Sequence, residues 1–169
     1  VTVASAAPSV PAAAAPPGPP DYLLLTDADI VHASDSVSRL VAHAEGRRLV
    51  LTSLMVKLRC ESFAERAGIP AFIFFFQMLY PFSCVNRPQS TVAAAAGGCM
   101  LVRAEALRNV GGIEVIRGAL IDDCALGARM KTQGAVWLGF SQDVKSVRAS
   151  DTVASVGHMI SRSAYAQLR

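Results

Sequence analysis

The sequence predicts an α/β fold, a mostly parallel sheet flanked by helices, on three observations. Residues 22–25, YLLL, form a short apolar run that is bounded by polar residues and preceded by Pro and Gly, which fits a buried strand better than a helix. Ser34 as N-cap and the spacing of Val37, Leu40, Val41 and Ala44 predict a helix that stops at Gly46. Residues 49–54 then read as a second strand, so strand, helix and strand follow within about 35 residues, the succession of a right-handed βαβ unit.

The first strand delivers two carboxylates, Asp27 and Asp29, at its far end. In open α/β sheets ligands lie beyond the carboxyl ends of the strands. Two acids one residue apart can share a hard cation, Mg²⁺ or Mn²⁺, that keeps coordination positions for substrate phosphates. A nucleotide diphosphate is the natural occupant of such a place. The competing reading is that both acids merely end a strand and cap the helix that follows.

At 169 residues the chain amounts to one domain at most. Residues 1–20 are low-complexity Ala and Pro without charge, read as disordered or as a linker; they lack the basic start and continuous apolar centre of a signal peptide. Residues 21–169 carry the folded part. Hydrophobic residues make up 52% and charged residues 17%, with a mean hydropathy of +0.38, so contact with a membrane or a partner surface is expected. The net charge of +3 is scattered, with no aromatic-and-basic patch for nucleic acid, and suits an anionic lipid surface. Cys60, Cys84, Cys99 and Cys124 form no CxxC pair, which argues for free buried thiols rather than a zinc or redox site.

Further along, residues 69–85 are the most hydrophobic stretch, but Pro70, Gln77 and Pro81 leave it short of a membrane span, so it reads as a helix in the core or at a lipid interface. Residues 93–103 join small residues to a strand, with Gly97 and Gly98 available for a close backbone approach or positive φ, beside a bound sugar or in an ordinary turn. A short helix over 104–110 ends at Gly111 and Gly112. Asp122 and Asp123 open the next helix, where carboxylates cap the positive end of the dipole; set near a metal site, one of them could instead take a proton from an attacking hydroxyl. Residues 135–140, with the only tryptophan, Trp137, read as another strand. Val153, Val156, Ile160, Ala164 and Leu168 mark a last helical stripe, for a membrane surface or for packing on the domain.

TDAD at 26–29, GGCMLVRAEAL at 97–107, GG at 111–112 and IDDCALGARM at 121–130 together resemble the second half of a family 2 glycosyltransferase. SLMVKLRCESFAER at 53–66, FFFQMLYPF at 74–82 and RGALIDDCAL at 117–126 are similar to the hopene-associated glycosyltransferases. The resemblance implies a partial GT-A fold whose first half would precede residue 21, and direct displacement with inversion at the sugar carbon. It implies Asp27 and Asp29 at the metal and diphosphate, Gly97, Gly98 and Asp122 in the substrate site, and Asp123 as general base. Asp122 stands where that family usually has Glu. Arg162, Gln167 and Arg169 are weaker candidates for phosphate or acceptor contacts. The implied partners are a nucleotide-sugar donor, a lipid-like, hopanoid-type acceptor and a membrane surface, with the catalytic part facing the cytoplasm at a bacterial inner membrane. This stretch alone is expected to be catalytically silent.

Two other readings compete. A nucleotidyl- or phosphoryl-transferring enzyme would use the same metal-bound diphosphate, but no GxxxxGK[ST] loop is present. A non-catalytic membrane-interaction module would use its acids only as helix caps, and then Asp27, Asp29 and Asp123 would have no reason to share one cleft.

Overall fold

Apolar strands and helices follow one another along the chain, and the sheet the strands build is covered on both faces. The structure is a computed structural model describing residues 19–119 and 122–167, the side chains of 162–167 excepted. Residues 1–18, most of the Ala/Pro segment, lie outside the described residues, as do Leu168 and Arg169 and the side chains of Arg162, Ala164 and Gln167.

Five strands, β1 (Tyr22–Thr26), β2 (Ile30–His32), β3 (Leu49–Lys57), β4 (Cys99–Arg103) and β5 (Ala135–Ser146), form one sheet in the order β1-β4-β3-β5-β2. The α/β class stands, but the expected mostly parallel sheet does not. Among the described residues only β3 and β5 pair in parallel; β1 with β4, β3 with β4 and β2 with β5 are antiparallel. The reason lies in the connection between β3 and β4. The chain leaves the carboxyl end of β3 for α2 (Phe63–Leu79) and α3 (Phe82–Val85), returns at that same end and so runs back along its neighbour. In the succession β1, α1 (Ser36–Arg47) and β3 the two strands run in the same direction, yet β4 intervenes between them.

Alternation along the strands sorts the core into two layers. Leu23, Leu25, Met100, Val102 and Leu138 face α5 (Asp122–Lys131), α4 (Ala104–Asn109) and the Phe76 side of α2. Leu24, Leu54, Leu101 and Val144 face Leu40 and Ala44 of α1. Gly127 sets the first layer's spacing, because a Cβ there would lie 2.8 Å from the Ala94 backbone. Lys131 ties α5 to the preceding segment by donating to the carbonyls of Val85 and Val92, at 2.7 and 2.6 Å.

Local boundaries differ from the sequence reading where capping decides them. The N-cap of α1 is Asp35 rather than Ser34; the helix runs through Gly46 and ends at Arg48, whose left-handed φ of 54° lets its N–H return to the carbonyls of Ala44 and Glu45. The apolar helix begins at Phe63, six residues before the expected start, because Ser62 and Glu65 make a reciprocal capping box. Pro70 lies inside it on the exposed side, where the carbonyl left without a partner can reach water. α4 ends as expected at Gly111 and Gly112, in a Schellman motif: Gly112 N–H donates to Leu107 and Gly111 N–H to Arg108, at 2.8 and 3.0 Å. β5 continues past Phe140 to Ser146 because its second half pairs with β2, while Lys145 meets Lys57 of β3 again after a register shift.

α6 (Val153–Gln167) packs on α2: Val156 is buried and lies where a side chain on Gly68 would have to stand. The four cysteines are free thiols, but only Cys99 and Cys124 are buried, and Cys60 is exposed. Among the described residues no helix is long and apolar enough to cross a membrane.

Candidate active site

The mixed topology brings the carboxyl ends of β1 and β3 and the start of β4 to one edge of the sheet. Asp27 follows β1 and its N–H donates to the Gly98 carbonyl at 3.4 Å, just ahead of β4. Thr26 reinforces that junction by donating its hydroxyl to the same carbonyl at 2.9 Å. A turn closed by Ile30 N–H on the Asp27 carbonyl carries the chain across to β2. Pairing of Ile30 with Ser146 then sets Asp29 against the end of β5, where Ser146 Oγ donates to Asp29 Oδ2 at 2.5 Å and Val147 N–H to the Asp29 carbonyl at 3.0 Å.

Asp123 reaches the same edge from the first turn of α5. Its Oδ2 accepts from Gly97 N–H at 2.8 Å and its Oδ1 from Cys124 N–H at 2.7 Å. Each oxygen keeps a second lone pair for another partner. A Cβ on Gly97 would stand 3.3 Å from Asp123 Oδ2, and one on Gly98 3.0 Å from Val56. The two glycines thus serve close approach to neighbouring side chains; positive φ among the described glycines falls on Gly111, Gly112 and Gly118.

Asp27, Asp29, Gly97, Gly98, Asp122 and Asp123 all line one cleft of about 370 Å³. Asp122, at its rim, accepts the N–H of Asp123 through Oδ1 at 3.0 Å. The cleft also holds Ser146 and Arg148, which the sequence reading did not single out; Ser146 ends β5 and Arg148 follows it, and this place at a strand end, like that of Asp27 after β1, is the one signal that could have found them. Arg148 is the single basic side chain lining the cleft among the described residues. Phe72, Phe76, Met55, Leu58, Met100 and Met159 supply an apolar wall.

Four carboxylates against one guanidinium leave the site strongly acidic. Burial raises the pKa of Asp27 above its ordinary value, and the charges of Asp29 and Asp122 raise it further, while Arg148 draws it down. Burial likewise raises Asp123, against the pull of the Cys124 and Gly97 hydrogen bonds. Asp27 and Asp29 are hard oxygen donors lining the cleft, a set that fits a divalent ion held by one or two carboxylates. Among the described residues no three acidic, imidazole or thiolate side chains are arranged to enclose an ion by themselves.

An α/β sheet that collects its carboxylates in a cleft at the strand ends has the architecture of enzymes that bind ligands beyond those ends. The model of glycosyl transferase family 21 matches residues 12–167, and the chain belongs to that family. It is thus a glycosyltransferase domain, as the sequence implied, with family 21 the one shown; the family implies a nucleotide-sugar donor and an acceptor. No curated protein matches the chain.

Proposed function

We propose that this chain carries the metal, diphosphate and base sites of an inverting glycosyltransferase that moves a sugar from a nucleotide-sugar donor to the hydroxyl of a lipid-like acceptor. One observation carries the reading: Asp27 and Asp29 from the first strand and Asp122 and Asp123 from a helix far along the chain line the same cleft. Helix and strand caps have no reason to converge in this way.

Asp27 and Asp29 would hold Mg²⁺ or Mn²⁺, which when bound supplies Lewis-acid stabilisation of the departing diphosphate. Arg148 adds a cationic side chain that lines the same cleft. Gly97 and Cys124 fix the Asp123 carboxylate in one orientation through their N–H groups, and burial makes it a stronger base than a solvent-exposed aspartate. As the acceptor oxygen bonds to the sugar carbon, the bond from that carbon to the diphosphate oxygen breaks and the acceptor proton passes to Asp123. No covalent enzyme intermediate is required.

The apolar wall supports a lipid-like acceptor, since its Phe and Met side chains offer apolar contact and no hydrogen bonds. The hopanoid identity rests on the sequence resemblance alone. Membrane association belongs to the same reading: Phe63, Phe74 and Met78 are exposed on α2 along with Pro70 and Ala71, an apolar face suited to the headgroup boundary. The test is to incubate membranes holding the protein from its complete open reading frame with labelled nucleotide sugars and Mn²⁺ or Mg²⁺, beside Asp123→Asn. Label in the lipid fraction that the substitution abolishes supports the proposal; a folded, membrane-bound protein inactive across the panel overturns it.

A further inference from the structure

The loop that bears Asp27 and Asp29 is fastened from several sides, and one fastening comes from a residue outside the cleft. Within the loop, Ile30 N–H donates to the Asp27 carbonyl at 3.2 Å. On the β5 side, Ser146 Oγ and Val147 N–H hold Asp29. Across the base of the loop the last residue of β1 and the last of β2, six positions apart, meet side chain to side chain, with Thr26 Oγ1 and His32 Nε2 at 3.0 Å. β1 and β2 are the two edges of the sheet, so no backbone ladder joins them and this contact draws their ends together.

The direction of that hydrogen bond follows from its neighbours. A hydroxyl has one proton, and Thr26 gives its own to the Gly98 carbonyl at 2.9 Å. His32 Nε2 is therefore the donor toward Thr26, which fixes the imidazole tautomer. Burial holds the His32 pKa below its ordinary value, so the ring is neutral and Nδ1 carries a bare lone pair. That Nδ1 is buried and has no hydrogen-bond partner. An orphaned buried acceptor costs at least as much as one neutral hydrogen bond returns, so stability by itself gives the ring no advantage over a hydrocarbon side chain. What the ring supplies is the bond to Thr26. His32 does not line the cleft, whereas Thr26, Asp27, Asp29 and Ile30, all in the segment it closes, do.

We propose that His32 is a positioning residue for the reaction: by donating to Thr26 it clasps the Asp27–Asp29 loop shut and holds both acids in place to receive a divalent ion. The Thr26 hydroxyl passes the constraint on to Gly98, next to the Gly97 N–H that orients Asp123, so one imidazole steadies the ion-binding acids and the candidate base together. The part played toward the ion rests on the reading of Asp27 and Asp29 given above; the clasp rests on the hydrogen bonds alone.

The test compares the full chain as wild type, His32→Leu, His32→Gln and Asp27→Asn. Gln offers an amide donor in place of the Nε2–H and leaves out the second ring nitrogen, while Leu fills the space without a donor. Amide hydrogen exchange at Ile30 reports opening of the loop, and the electron paramagnetic resonance signal of free Mn²⁺ reports ion binding with no substrate present. His32→Leu should speed the exchange about tenfold and weaken Mn²⁺ binding about tenfold, the low end of the range for groups that orient metal ligands, with His32→Gln near wild type in both. Thr26→Val, which removes the acceptor at nearly equal volume, is the second disrupting variant and should match or exceed His32→Leu. In the wild type the proton–nitrogen correlation spectrum of the imidazole should place the proton on Nε2. Four outcomes overturn the proposal: exchange at Ile30 that neither disrupting variant alters; Mn²⁺ binding that Asp27→Asn weakens and neither of them does; His32→Gln behaving like His32→Leu, so that the shape of the ring and not its donor matters; or the proton on Nδ1. Should the wild type not bind Mn²⁺, or Asp27→Asn bind it equally well, the reading of the ion site fails instead, and exchange at Ile30 decides whether the clasp stands.

Discussion

Two acidic regions stand within one molecule, and their carboxylates are treated in opposite ways. At the junction of α2 with the segment ahead of α6, Glu65 is 1% exposed, yet every demand of its charge is met. It accepts from the N–H groups of Glu61, Ser62 and Ser150 and from Arg59, at 2.8 to 3.1 Å. Arg59 also binds Glu61 and Asp151. Those backbone hydrogen bonds, led by that from Ser150, hold the Glu65 pKa at about 2. In the cleft the carboxylates crowd one another, share one guanidinium and have Asp27 and Asp123 pushed up. The first arrangement stabilises the fold, fastening the strand end that bears Ser146 and Arg148 to the base of α2. The second is held in tension by the fold around it, as functional sites commonly are.

Substitutions that separate stability from turnover sharpen this contrast. The largest effect falls on turnover: Asp123→Asn should lower the rate of sugar transfer about 10²- to 10⁴-fold, the range for a lost general base, with the unfolding midpoint nearly unchanged. Label transfer and thermal circular dichroism on the same preparation check both halves. Glu65→Gln should do the reverse, lowering the midpoint through lost charge-assisted bonds.

The pH dependence of that loss tests its cause. The folded value of about 2 lies below the ordinary 4.5, so the stabilisation from Glu65 is complete above pH 4.5 and disappears as pH falls toward 2. The wild-type midpoint should converge on that of Glu65→Gln across that window. A constant gap between the two would show that Glu65 acts through packing and not through its charge.

Gly127→Ala probes the scaffold between the regions. Its Cβ would press on the Ala94 backbone, so about 1–3 kcal/mol of stability should be lost in denaturant unfolding, and α5 with Asp123 should shift. The smallest effect distinguishes the two acidic regions most directly. Asp27→Asn should slightly raise the midpoint near neutral pH, because it relieves repulsion from Asp29 and Asp122, while weakening the response of activity to Mn²⁺. A lowered midpoint would place Asp27 with Glu65 as a stabilising carboxylate and break the comparison.

Much of the candidate site was legible in the sequence because its members sit at element ends, where composition changes sharply. Asp27 and Asp29 follow an apolar strand and Asp122 and Asp123 open a helix, as the structure has them. Ser146 and Arg148 were not legible: they lie at the end of a strand and just past it, and the second half of that strand is set by pairing with β2 rather than by its own apolar pattern. The Glu65 network was half legible, since Ser62 and Glu65 form a capping box, but Arg59, Ser150 and Asp151 come from other parts of the chain.

The residues by themselves determined the α/β class, the helix faces and the places where carboxylates interrupt apolar runs. These are local properties, written in periods of two or 3.6 residues and in short-range steric preferences. Tertiary structure alone decided that the sheet is mixed, that β4 lies between β1 and β3, and that Gly97 thereby meets Asp123. An apolar strand buries equally well in either direction; what selects its direction and neighbour is the end of the sheet to which the intervening helices return the chain, a long-range balance of packing that no local pattern encodes.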